Sequence, residues 1–236
     1  MSSKAKIILM YVGTAVFAAA LIGTFTWLRK AQEQREKQAM TDRLIVTNVG
    51  KENKVEMARL ENDLEATNQA GEKVRLSELK DKVWIAAQFF AACPNCATRN
   101  GDHLAQLYQK YKDNPDFHVV CVSVDPEVDG VERLQQYATN LNADLSNWWF
   151  LTGPREEVHG YMEKEMKFLA VEERTDAAEI ESQGRWAHDM GVAVFSKGLI
   201  MREKKDLLWA REQSSELYAH FKGLVESSIE QALTEE

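Results

Sequence analysis

Residues 82–96 read KVWIAAQFFAACPNC, a nearly continuous apolar run at 82–90 that leads almost directly into Cys93-Pro94-Asn95-Cys96. So apolar a run suits a strand covered on two faces rather than one that alternates between core and water. Residues 117–124, FHVVCVSV, repeat the pattern. Between them, in residues 97–114, Leu104, Leu107, Tyr108 and Tyr111 fall on one helical face. Val131, Leu134, Ala138 and Leu141 resume that spacing, and Trp148-Trp149-Phe150-Leu151 supplies a short third strand. After a polar stretch at 171–185, residues 191–195 and 199–201 form two apolar runs about Ser196-Lys197-Gly198, a hairpin with a glycine turn. A final helix follows, with Leu217, Phe221, Leu224, Val225 and Ile229 in line. Ahead of the first strand, residues 63–67 and 73–76 flank Asn68-Gln69-Ala70-Gly71 as a smaller hairpin. Strands alternating with helices and closed by a hairpin and a helix make an α/β plan of thioredoxin type, a central sheet with flanking helices.

The cysteine pair stands where that plan puts chemistry. Ligands collect beyond the carboxyl ends of strands in α/β sheets, and a helix N-terminus favours the thiolate over the thiol. A spacing of i and i+3 sets both sulfurs on one side of a first helical turn, able to close a disulfide or to hold a soft metal ion. The null is two incidental thiols, which the strand-to-helix context disfavours. Cys121, inside the second apolar strand, reads as a buried, inert thiol. Redox domains of this plan place a cis-proline opposite the dithiol, but the four prolines, at 94, 115, 126 and 154, all lie far from 191. Ala187-His188-Asp189 stands there instead. A neutral imidazole beside two thiolates makes an S₂N donor set suited to Cu(I).

The rest of the chain bounds the setting. With 29 basic and 37 acidic residues the net charge is −8, which argues against nucleic acid as a partner. Residues 1–43 are net +4 and the remainder net −12. Residues 7–28 contain no charge, long enough for a transmembrane helix. Tyr11 and Trp27 lie near its ends, and no small-residue cleavage site follows as a signal peptide requires. The chain thus divides into a tail at 1–6, an anchor at 7–28, a polar tether at 29–59 and a domain at 60–236. Two basic residues before the span and four after it leave orientation open, since a long domain can translocate despite flanking charge.

Other candidates are weaker. His103 and His159 lie on helical stretches among polar residues and read as solvated. Asp125 and Asp129, past the second strand, either tune the site or open a turn, and the turn is the better reading. Trp148 and Trp149 read as core. The stretch at 171–185, just before His188, is placed to act as a mobile flap.

The cysteine motif, residues 122–129 (VSVDPEVD), residues 148–153 (WWFLTG) and the late His188 together resemble the Sco/SenC family of membrane-anchored, thioredoxin-like copper proteins, over the chain from about residue 60 onward. The resemblance implies Cys93, Cys96 and His188 as copper ligands. It also implies a role as metallochaperone or assembly factor for the dinuclear copper site of cytochrome c oxidase, whose copper-site subunit is then the partner. It places the domain outside the cytoplasm, on the periplasmic side in a bacterium. Two features depart from the family pattern. Two residues rather than three separate the cysteines, which turns the second sulfur by about 100° around a helix axis, and Asp189 follows the histidine where an aspartate usually precedes it. The shorter spacing keeps the alternative open, a membrane-anchored thiol-disulfide oxidoreductase using the same dithiol.

Overall fold

The computed structural model describes residues 58–91 and 101–235, together with residues 20, 22–32 and 35. The chain falls into two units, Met1–Gly50 and Lys51–Glu236. In the first, residues 22–32 are helical and expose Ile22, Phe25, Trp27 and Leu28. Most of the expected span at 7–28 lies outside the described residues, and among those described no helix is long and apolar enough to cross a membrane.

The second unit carries the sheet. A small hairpin, β1 (Glu65–Thr67) and β2 (Lys73–Arg75), comes first, followed by a 3-10 turn at Leu76–Leu79. The order is then β3 (Val83–Phe89), α1 (Gly101–Tyr111), β4 (Phe117–Ser123), α2 (Val131–Asn140), β5 (Trp148–Leu151) and α3 (Arg155–Lys164). An excursion follows, made of β6 (Glu172–Glu173), α4 (Ala177–Gln183) and β7 (Trp186–Ala187). The chain closes with β8 (Gly191–Ser196), β9 (Ile200–Asp206), α5 (Leu207–Gln213) and α6 (Ser215–Thr234).

Five strands form the main sheet in the order β5-β4-β3-β8-β9. β3, β4 and β5 are parallel neighbours, while β8 runs antiparallel to both β3 and β9. Every residue of β3 and β4 is buried, as their unbroken apolar runs require of strands covered on both faces. On one face Trp84 stacks on Phe195 with centroids 4.1 Å apart, across the register pair that joins β3 to β8. Val120, Val122 and Leu151 continue that layer against Val158 and Met162 of α3. On the other face Phe89, Tyr137 and Phe150 meet edge to edge or tilted, with centroids 5.2 to 5.3 Å apart. Trp148 is fully buried, as its reading as core requires, whereas Trp149 is only half-buried. Residues 58–60 already belong to the sheet edge, with Arg59 bridging Ile200 and Leu60 buried.

His103 does not lie in solvent. Its ring is 1% exposed, with Nδ1 3.0 Å from the Tyr218 hydroxyl of α6. Helix periodicity puts it on the face of Leu104 and Leu107, and α6 covers that face. Burial, helped by the charge of Arg211, pushes its pKa down to about 4. His118, in β4 and against Trp149, is pushed down to about 3 by burial. A depressed histidine pKa gives stability that is complete above the unfolded value of 6.5 and is lost as pH falls toward the folded value. Between pH 7 and pH 5 the His103 contribution falls by about 2 kcal/mol. Urea unfolding of wild type and His103→Gln at both pH values checks this: the stability gap between them is expected to narrow by that amount on acidification, and a constant gap overturns it.

Candidate metal and thiol site

β3 delivers the chain to the site. Phe89 ends the strand, Phe90 is buried behind it, and Cys93 lies three residues on. Cys93 and Cys96 fall within residues 92–100, outside the described residues, so the site is built here from its borders at Ala91 and Gly101. Ala91 N–H donates to both carboxylate oxygens of Asp129, at 3.0 and 3.3 Å. Ser123 Oγ donates to Asp129 as well, at 2.6 Å. The fully buried Asp129 therefore ties the exit of β3 to the end of β4, and burial raises its pKa above the usual carboxylate range. Asp125 takes the turn role, its carbonyl accepting from Val128 and Asp129 N–H.

The sheet brings His188 to the same border from nearly a hundred residues away. β8 lies beside β3, and the residues that precede β8 reach the carboxyl end of β3, where the His188 ring meets Phe90 edge-on at 5.6 Å. Nδ1 of His188 lies 2.9 Å from the Asp189 carbonyl oxygen. Because a carbonyl only accepts, Nδ1 carries the proton and the lone pair rests on Nε2, the tautomer a metal ligand needs. Burial, with the charge of Arg174, lowers the pKa of His188 and keeps the ring neutral near pH 7. Among the described residues no group of three His, Cys, Asp or Glu side chains gathers as a metal cluster, so any S₂N set depends on residues 93 and 96.

Asp189, six percent exposed, anchors the histidine loop. It accepts from Leu169 N–H at 3.0 Å, from Gly191 N–H at 2.7 Å and from Lys204 Nζ at 2.6 Å. Its own N–H donates to Gln88 Oε1 at 2.8 Å, and Gln88 Nε2 donates onward to the Leu169 carbonyl at 3.3 Å. Gly191 must be glycine here, since a Cβ would stand 2.7 Å from the Asp189 carboxylate. Gln88 and Lys204 escaped the sequence reading, although Gln88 carries a signal as the one polar side chain in the strand 83–89.

Of the remaining candidates, Cys121 is fully buried and inert as expected. Burial raises its pKa to about 12, and Trp148 Nε1 donates to its sulfur at 3.4 Å. His159 is half-buried rather than solvated, its Nε2 donating to the Val124 carbonyl at 2.8 Å. The stretch 171–185 is not a loose flap. β6 pairs antiparallel with β7, Arg174 N–H donates to the Arg185 carbonyl at 2.8 Å, and the Arg174 guanidinium donates to the carbonyls of Gly184 and Trp186. Asp176 caps α4 by accepting from Ala178 and Glu179 N–H.

The comparisons agree with this architecture. The family model described as SCO1/SenC matches residues 52–206. A SCO1 protein homolog of Bacillus subtilis (strain 168) is 35% identical over 104 residues, which are 43% of this chain and 54% of that protein, so the match spans about half of that relative's length. The structure of BsSco, described as a member of the Sco family of cytochrome c oxidase assembly proteins with a disulfide switch, has a TM-score of 0.54 at 22% identity, covering 73% of this chain and 94% of that one. Arabidopsis thaliana ScoI with copper bound has a TM-score of 0.55 at 20% identity, over 73% and 99% of the two chains. The five-stranded sheet with its flanking helices is thus the thioredoxin-like Sco fold, and the chain, matched from residue 52 to residue 206, belongs to the SCO1/SenC family.

Proposed function

We propose that the chain is a copper-binding assembly factor in which Cys93 and Cys96 take Cu(I) as thiolates and His188 Nε2 completes the site. The observation that carries this reading is the His188 ring, packed on Phe90 three residues before Cys93 with its Nδ1 proton committed to the Asp189 carbonyl. Two soft sulfurs and a neutral imidazole favour Cu(I) over hard cations. Copper bound in the Arabidopsis thaliana relative supports the cargo, and the description of BsSco supports a role in cytochrome c oxidase assembly, with the dinuclear copper site as the destination the family resemblance implies. Residues 7–28 hold the domain to the membrane, on the side outside the cytoplasm that the family resemblance implies; release of the chain from membranes by an alkaline wash would count against that anchor.

Anaerobic reconstitution of the full chain in detergent with Cu(I) tests the site. One tightly held equivalent is expected, lost in Cys93→Ser and Cys96→Ser and weakened 10- to 100-fold in His188→Ala. Retention no greater than in the double Cys→Ser variant sinks the reading.

The two-residue spacing of the cysteines favours a second reading, thiol-disulfide exchange. The Cys93 thiolate attacks a client disulfide and Cys96 displaces the client from the mixed disulfide. The chain's two thiols become one disulfide while the client disulfide becomes two thiols, with two electrons transferred. Client reduction that persists without metal and in His188→Ala favours this chemistry over metal delivery.

A further inference from the structure

The excursion from β6 to β7 ends at Ala187, immediately before His188, and its last aromatic side chain is held in an unusual way. Trp186 is 5% exposed, yet its Nε1 is buried and has no hydrogen-bond partner among the described residues. Its indole is fixed through the ring instead. The guanidinium of Arg155 lies 5.0 Å from the ring centroid and that of Arg185 4.9 Å from it. Each arginine also carries an ion pair. Arg155, the first residue of α3, reaches Glu127 at 2.6 Å and Asp125 at 3.9 Å in the turn after β4. Arg185 donates to Glu173 of β6 at 2.7 Å. His159, one turn along α3, adds its ring at 6.1 Å from Trp186. From outside the β6–β7 excursion, α3 meets the indole through Arg155 and His159, and Arg155 is itself tied to the turn after β4.

We propose that Trp186, clamped by Arg155 and Arg185, is a positioning residue for His188, and that the excursion at 171–187 serves as the bracket that holds this imidazole against Phe90. The proposal rests on the reading of His188 as a copper ligand. From the β3 and β9 side the loop is held by the polar network of Gln88, Asp189 and Lys204 and by Phe90 against the His188 ring. The clamp holds it from the opposite side of the chain, upstream of His188. A ring contact resists sliding along β7 less well than a hydrogen bond, but two planar cations at one indole resist its rotation out of the core. Because only Ala187 separates Trp186 from His188, a shift of the indole passes directly to the imidazole.

Hydrogen–deuterium exchange on the metal-free full chain in detergent reads the positioning without any metal, and competition with a chromophoric Cu(I) chelator reads its consequence. In Arg155→Ala and Trp186→Leu, exchange in residues 186–190 is expected to rise at least tenfold while β3 and β4 keep wild-type protection, and Cu(I) affinity is expected to fall 10- to 100-fold. Trp186→Phe keeps a ring face and is expected to stay within about threefold of wild type in both readouts. Unchanged exchange in 186–190 overturns the proposal, and so does an equal loss of protection across the whole sheet, which marks a merely structural role. It is also overturned if the segment loosens and affinity holds while His188→Ala lowers affinity. Should His188→Ala itself leave affinity unchanged, the ligand reading is what fails, and the exchange result alone decides the clamp.

Discussion

Asp189→Ala is expected to destabilise the domain by about 3–5 kcal/mol, the cost of breaking a buried charged network from one side. The carboxylate accepts from two backbone N–H groups and a lysine. Leu169 N–H and Gly191 N–H would be left facing a small void, at about 1–3 kcal/mol for each donor left unsatisfied. Lys204 is the least affected partner, since its side chain is 26% exposed and its Nζ also donates to the Lys167 carbonyl at 2.8 Å. Asp189→Asn keeps one acceptor oxygen and is expected to cost roughly half as much. Urea unfolding of the metal-free protein measures both. A cost below about 1 kcal/mol for the alanine variant would show that water replaces the carboxylate and that the network does not hold the loop.

Asp129→Ala carries the next largest effect, about 2–4 kcal/mol, because it strips the acceptor from Ala91 N–H and from the Ser123 hydroxyl inside the protein. Asp129→Asn separates charge from geometry. One carboxylate oxygen, Oδ2, accepts from both donors, so an amide oxygen in its place keeps both bonds. Burial has already raised the pKa of Asp129, which means the negative charge opposes folding here rather than supporting it. The sign follows: a raised carboxylate pKa makes the folded state bind the proton more readily, so this group adds relative stability as pH falls through its folded value. Asp129→Asn is therefore expected to remain within about 1 kcal/mol of wild type near pH 7, and thermal unfolding of the two variants side by side checks it. Equal losses in both would place the effect in the charge.

His103 shows why polar neighbours in sequence misplace a side chain. Its neighbours in sequence are polar, but the ring lies against α6, an element more than a hundred residues away. The pattern of the helix says which face is apolar, and only packing says that a polar residue at the edge of that face is covered too. Asp189 is a comparable case. It reads as a departure from the family pattern, yet its carboxylate closes a network whose other members, Gln88, Leu169 and Lys204, come from three separate segments.

What the sequence determined by itself is whatever rests on local repetition. Unbroken apolar runs specify central strands, and a period near 3.6 specifies the helix faces. Those signals are contained within ten or fifteen residues, so one chain suffices to read them. The tertiary structure alone decided which way His188 carries its proton, what restrains the loop around it, and that the polar stretch at 171–185 is braced rather than free. Each of these depends on groups brought together by strand pairing across long separations, and hydrogen-bond partners chosen by folding leave no periodic trace in the segments that supply them.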